Sequence, residues 1–125
     1  MTCLLAVDST VSRRLIGRHV KESGFRNLLV AGDGRSALAL FNEKVRLVVT
    51  AWDLPAMSGI ELTRAIRVHP HGRDIPILLV TTRQTMESVL EAATVGVNGY
   101  LLRPFTSEAL RAKLAYVMEA RRESG

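Results

Sequence analysis

Leu47-Val48-Val49-Thr50-Ala51-Trp52-Asp53-Leu54-Pro55-Ala56-Met57-Ser58-Gly59 is the stretch on which the fold turns. Its opening run, Leu47 to Thr50, is too short for a helix and is near-continuous in apolar character instead of alternating. A strand covered on both faces looks like this, and such strands belong to parallel sheets. Four further runs share the pattern: Cys3 to Val7, Leu28 to Ala31, Ile77 to Thr81 and Tyr100 to Leu102.

Helix-patterned stretches separate them. Val11, Leu15, Ile16, His19 and Val20 form a first apolar stripe, Ala37, Leu40 and Phe41 a second, and Leu62, Ala65 and Ile66 a third. Val89, Leu90 and Ala93 form a fourth, and Leu110, Leu114, Val117 and Met118 a fifth at helical spacing. Gly24 and Gly96 stand where a helix needs a left-handed residue to end, and Pro76 opens the fourth strand. Thr106, before Ser107 and Glu108, supplies an N-cap for the last helix, while Pro104 keeps the loop before it extended. Strand and helix alternate five times, which predicts an α/β, doubly wound parallel sheet of five strands with five helices on its two faces.

The chain has 125 residues, 47% hydrophobic and 23% charged, which suits one folded domain spanning 1–125 and excludes disorder. No apolar run approaches the roughly 20 residues of a membrane span, and no basic n-region follows Met1. The single cysteine, Cys3, lies in the first apolar run and reads as a buried, inert thiol in a protein of the reducing cytoplasm. Seventeen Lys and Arg against 12 Asp and Glu give a net charge of +5, yet the cations are scattered, with a tail pair at Arg121 and Arg122. Aromatics make up only 5%, so no stacking platform accompanies the charge and no direct nucleic-acid binding is expected.

In a doubly wound fold, chemistry collects at the carboxyl ends of the strands. Those ends carry Asp8 and Ser9, then Ala51, Trp52 and Asp53, then Thr81 and Thr82, then Arg103 and Pro104. Thr50, Ser58, Thr81 and Thr82 have no histidine beside them to act as a base, so hydrolase chemistry has no support and no enzyme is expected. His69-Pro70-His71-Gly72 pairs two imidazoles in a Pro/Gly turn without a third ligand nearby, and reads as a solvated turn.

Five segments in order resemble the receiver domain of bacterial two-component response regulators. They are Val7-Asp8-Ser9 with Arg13-Arg14-Leu15-Ile16, Ala31-Gly32-Asp33-Gly34 with Ala37-Leu38, Trp52 to Gly59, Pro76 to Thr81, and Gly99-Tyr100-Leu101-Leu102-Arg103-Pro104-Phe105. The resemblance implies a flavodoxin-like sheet of order 2-1-3-4-5. It also implies that a phosphoacceptor aspartate belongs at position 51, where this chain has Ala51. Family members hold Mg²⁺ with two adjacent acids after the first strand; here Asp8 is followed by Ser9, whether Ser9 replaces the second acid or one acid is deleted. Mg²⁺ binding is therefore expected to be weak or absent, with no cofactor. The lysine that contacts the phosphoryl group is Arg103 here, while Thr81 and Tyr100 match the switch hydroxyl and switch aromatic.

The resemblance thus implies an atypical receiver, degenerate at the phosphorylation site, that works by protein–protein contact. The partners implied are a histidine kinase, an output domain or a second receiver, with a homodimer through the fourth helix, fifth strand and fifth helix. Two alternatives remain at this point: an active receiver carrying an engineered Ala51, and a dinucleotide-binding domain. The second rests on Gly32-Asp33-Gly34-Arg35-Ser36-Ala37, which fits G-x-G-x-x-A with Asp53 some 20 residues on, although it follows the second strand and not the first. One further expectation concerns Asp8, left at a strand end without a metal: Arg103 should form an internal ion pair with Asp8 or Asp53.

Overall fold

All five residues of Thr2–Ala6 and all five of Ile77–Thr81 are buried, as strands covered on both faces must be. In the computed structural model, which describes residues 1–124 and side chains through residue 119, they are β1 and β4. The other strands are β2 (Asn27–Ala31), β3 (Val45–Ala51) and β5 (Gly99–Leu102), and the helices are α1 (Thr10–Glu22), α2 (Gly34–Leu40), α3 (Gly59–Val68), α4 (Met86–Val95) and α5 (Ser107–Ser124). The strands pair in parallel in the order β2-β1-β3-β4-β5. Arg121 and Arg122 lie outside the residues whose side chains are described. Among the described residues, no helix is long and apolar enough to cross a membrane.

Alternation along β1 divides the core. Cys3, Leu5 and Val7 pack with Ile16 and Val20 of α1 and with Leu110, Leu114 and Val117 of α5. Leu4 and Ala6 face the other way, toward Ala37 of α2 and Leu62 and Ile66 of α3. Farther along the sheet, Leu79 packs with Trp52, Ile60 and the α4 residues Ala92 and Val95. β3 is longer at both ends than its apolar run, because Val45 pairs with Thr2 and Ala51 with Val80 across the ladders.

Local signals set the helix ends. Ser9, Asp33, Ser58 and Thr85 accept backbone N–H bonds from three residues on at the starts of α1 to α4, and Thr106 accepts from Ala109 at the start of α5. Ser58 and Glu61 complete a reciprocal capping box, and each such cap contributes about 1 kcal/mol. Gly24 and Gly96 adopt φ +106° and +101°, the left-handed conformation expected of them.

Two apolar stripes fall differently from their sequence reading. Val89, Leu90 and Ala93 form an exposed face of α4, which packs instead through Ala92 and Val95. Periodicity finds an apolar face but not the direction it points, and the α4 residues that meet Leu79, Trp52 and Ile60 are Ala92 and Val95. Phe41 does not continue α2: at φ −66°, ψ 130° it caps the helix, and its buried ring meets His69 edge-on at 4.9 Å. Val11 at the head of α1 is likewise in solvent.

Candidate functional site

Ala51 ends β3 with 3% of its surface exposed, and its carbonyl accepts the Thr50 hydroxyl at 2.9 Å. The chain turns at once into α3: the Trp52 N–H donates to Val80, and the Trp52 carbonyl receives the Gly59 N–H at 2.8 Å. Between them the loop passes through Ala56 at φ 69° and reaches across to α2, where the Gly34 N–H donates to the Pro55 carbonyl. A Cβ on Gly34 would sit 1.9 Å from the Met57 carbonyl oxygen. Gly34 is thus required by contact with this loop, and Asp33 by its cap on the seven-residue α2. That accounts for the G-x-G-x-x-A match without a nucleotide.

Asp8 is exposed, and its carboxylate makes no ion pair or hydrogen bond among the described residues. The backbone beneath it is held by Arg13, whose Nε donates to the Val7 carbonyl at 3.3 Å. Ser9 uses its hydroxyl oxygen to cap α1, accepting from the Ser12 N–H at 3.3 Å.

Asp53 points outward, and its Oδ1 accepts from Arg83 Nη2 at 2.7 Å. The same guanidinium lies 4.5 Å from the centroid of the Trp52 ring. This pairing raises the Arg83 guanidinium above its ordinary value, chiefly through the hydrogen bond it donates to Asp53. With both side chains largely exposed, the ion pair contributes about 0.2–1 kcal/mol and the stacking about 0.5–1 kcal/mol. The backbone of Arg83 is engaged as well: its N–H donates to Thr81 Oγ1 at 3.1 Å, and its carbonyl accepts the Tyr100 hydroxyl at 2.8 Å. Burial raises the Tyr100 phenol above its ordinary range, partly offset by the nearby Arg83 charge.

Arg103 makes no ion pair with Asp8 or Asp53, which corrects the expectation drawn from the sequence. Its N–H donates to the Thr81 carbonyl at 2.9 Å, while Nε and Nη2 are buried with no hydrogen-bond partner. Strand order supplies the reason. Adjacent strands lie about 4.8 Å apart, so from β5 the side chain must cross β4 to reach the end of β3, and β3 as well to reach Asp8. Arg83, leaving β4 next door to β3, arrives first. Arg83 is the residue that sequence reasoning passed over; the available signal was opposite charges set two residues beyond Ala51 and Thr81, at the ends of neighbouring parallel strands.

Mg²⁺ requires near-octahedral oxygen ligation. Among the described residues no three His, Cys, Asp or Glu side chains gather where they could hold a metal ion. At this site Asp8 is the one uncommitted carboxylate, Asp53 is held by Arg83, and the Ser9 oxygen is in a cap. The donor set present does not fit Mg²⁺. His69 and His71 belong to a turn in which the His71 N–H donates to His69 Nδ1 at 3.1 Å.

A model of the response regulator receiver domain matches residues 3–115. Chemotaxis protein CheY of Pseudomonas aeruginosa is 36% identical over 120 residues, spanning 95% of this chain and 97% of its own. Chemotaxis protein CheY-3 of Vibrio cholerae is also 36% identical over 120 residues, covering 95% and 92% of the two chains. Among solved structures, the chemotaxis response regulator CheY4 of Vibrio cholerae superposes with a TM-score of 0.83 at 30% identity, over 93% of this chain and 97% of that one. The receiver domain of the sensor histidine kinase PA1611 from Pseudomonas aeruginosa, solved with a magnesium ion coordinated in its active site cleft, superposes with a TM-score of 0.76 at 27% identity, over 94% and 97%. The sheet order, the loop geometry at the strand ends and these likenesses together place the chain: it belongs to the response regulator receiver domain family of two-component signalling.

Proposed function

We propose that residues 1–125 form one receiver domain that signals by protein–protein contact without accepting a phosphoryl group. Receiver domains are signalling domains that meet histidine kinases or output domains, and that much follows from the family. The finer reading is carried by one observation, Ala51 at the end of β3. A methyl group has no lone pair to attack phosphorus, so position 51 cannot form an acyl phosphate. The donor set around Asp8, Ser9 and Asp53 supports the same reading, since the metal that would neutralise an incoming phosphoryl group lacks its ligands. Arg103, at the phosphate-contact position, is left with two buried and unpartnered nitrogens.

The contact surface we assign is α4, β5 and α5. Met86, Leu90, Leu102 and Tyr116 expose large apolar surface there, and Val89 stands beside them. Clustered exposed apolar groups mark protein-binding surfaces more often than single ones do, and this face can receive a kinase, an output domain or a second copy of the chain. Tyr100 of β5 belongs to this face and is linked through Arg83 to Thr81 at the end of β4.

Beryllofluoride with Mg²⁺, a phosphoryl mimic that needs both the aspartate and the metal, tests the reading. Emission from Trp52, which adjoins position 51, is expected to stay flat across the titration. A saturable change in that emission overturns the proposal.

A further inference from the structure

One residue fastens the β4–α4 loop. Between Thr81 and the α4 cap at Thr85, the exposed side chains of Thr82 and Gln84 make no hydrogen bond among the described residues, whereas Arg83 is held at four points. Its backbone N–H is on Thr81, its carbonyl is on the Tyr100 hydroxyl, its guanidinium is on Asp53, and that guanidinium also stacks on Trp52. Trp52 and Asp53 lead out of β3, Thr81 ends β4 and Tyr100 lies in β5, so groups from three neighbouring strands meet at one residue.

We propose that Arg83 is a positioning residue, a clasp that closes the β4–α4 loop over the end of β3 and fixes the Tyr100 ring beneath it with no phosphoryl group present. The physical logic is a chain of orientation. Asp53 holds the guanidinium over the flat indole of Trp52, and a buried Trp52 gives that guanidinium a rigid floor. With the side chain pinned, the peptide of Arg83 cannot swing, and its carbonyl stays where the Tyr100 hydroxyl can reach it. Tyr100 is half-buried and turned toward the loop in consequence. The clasp deepens the proposed function, and rests on it, by naming what sets the state displayed on the α4–β5–α5 face; its existence rests on the geometry alone. An exposed ion pair is open to screening, and the screening length shortens from about 30 Å at 0.01 M salt to about 3 Å at 1 M, so the clasp loosens as ionic strength rises.

The test uses the whole chain, in which Trp52 is the single tryptophan. Emission from Trp52 and amide exchange of residues 82–84 are measured for wild type, Asp53→Asn, Arg83→Ala and the double variant. Both substituted side chains are largely exposed, so far-ultraviolet circular dichroism stays unchanged. Asp53→Asn is expected to shift the Trp52 emission, by freeing the guanidinium stacked on the indole, and to speed loop exchange several-fold. The double variant is expected to match Arg83→Ala, because both substitutions break one chain of contacts. Wild-type emission and loop exchange in Asp53→Asn overturn the clasp, as do effects of the two substitutions that simply add. Phosphoryl uptake by the protein, which would defeat the proposed function, leaves these four measurements and their meaning unchanged.

Discussion

Gly59 and Ala51 touch through backbone alone: a Cβ on Gly59 would sit 2.0 Å from the Ala51 carbonyl oxygen and 3.1 Å from Leu79 Cδ1. The close approach lets α3 start directly against the end of β3, and it holds the loop carrying Trp52 and Asp53 in place. Backbone atoms cannot yield as a flexible side chain does, so Gly59→Ala is expected to cost about 1–3 kcal/mol in overpacking. Thermal unfolding measures it. A melting temperature equal to that of wild type contradicts this role for Gly59.

Arg67 ties the end of α3 to the loop that follows it and to the turn between α4 and β5. Its Nε and Nη2 donate to the Gly96 carbonyl at 3.0 and 2.7 Å, Nη1 to the Gly72 carbonyl at 2.7 Å, and Nη2 also to Asn98 Oδ1 at 2.9 Å. Burial lowers its basicity from the ordinary arginine value, with Asp74 acting in the opposite sense. Arg67→Ala leaves the Gly96 and Gly72 carbonyls without their donor, while Asn98 Oδ1 keeps only the Ile77 N–H, and should cost about 2–3 kcal/mol in urea unfolding. Arg67→Lys should recover little, since an ammonium cannot span the same fork of acceptors. Recovery to wild-type stability by lysine defeats the geometric account.

Cys3 is fully buried, and desolvation pushes its thiol from 9.0 up to about 12. A thiol reagent at pH 8 should label it only after unfolding. The raised value also fixes a pH dependence. The folded state keeps the proton that the unfolded chain releases near pH 9.0, so this stabilisation is complete below pH 9.0 and fades as pH climbs toward about 12. Wild type should therefore lose melting temperature relative to Cys3→Val as pH rises from 9 to 11. Rapid labelling of the native protein contradicts the burial.

Restoring the missing carboxylate should not restore the metal. In Ala51→Asp, Asp8 and the new aspartate supply two hard ligands, while Ser9 remains in its cap and Asp53 on Arg83. Two are too few for tight Mg²⁺ binding. Trp52 emission in this variant is expected to stay flat at sub-millimolar Mg²⁺, and saturation in that range contradicts the account of the acids after β1.

Sequence patterning revealed the parts of the fold in which one chemical property decides the outcome. β1 and β4 are legible as apolar runs because both faces are buried, and Asp33, Ser58 and Thr106 cap helices through bonds to residues three positions away. The direction of the α4 stripe is not legible, because an apolar face is visible in sequence whether it turns to a core or to solvent. Asp8, Ala51, Thr81, Tyr100 and Arg103 all come to the carboxyl-end region of the sheet, as the alternation of strands and helices requires. Their pairing was not legible. Which arginine meets Asp53 depends on strand order and on the path of the loop after Thr81, and both arise only once the sheet has formed.

Intact-mass spectrometry after incubation with acetyl phosphate and Mg²⁺ shows whether the chain takes up a phosphoryl group. One unmodified mass is expected for wild type, because Ala51 offers no nucleophile and Asp53 faces Arg83 and solvent. A stable phosphoryl adduct that disappears in Asp53→Asn would contradict it, showing that the receiver accepts phosphate two residues beyond the end of β3.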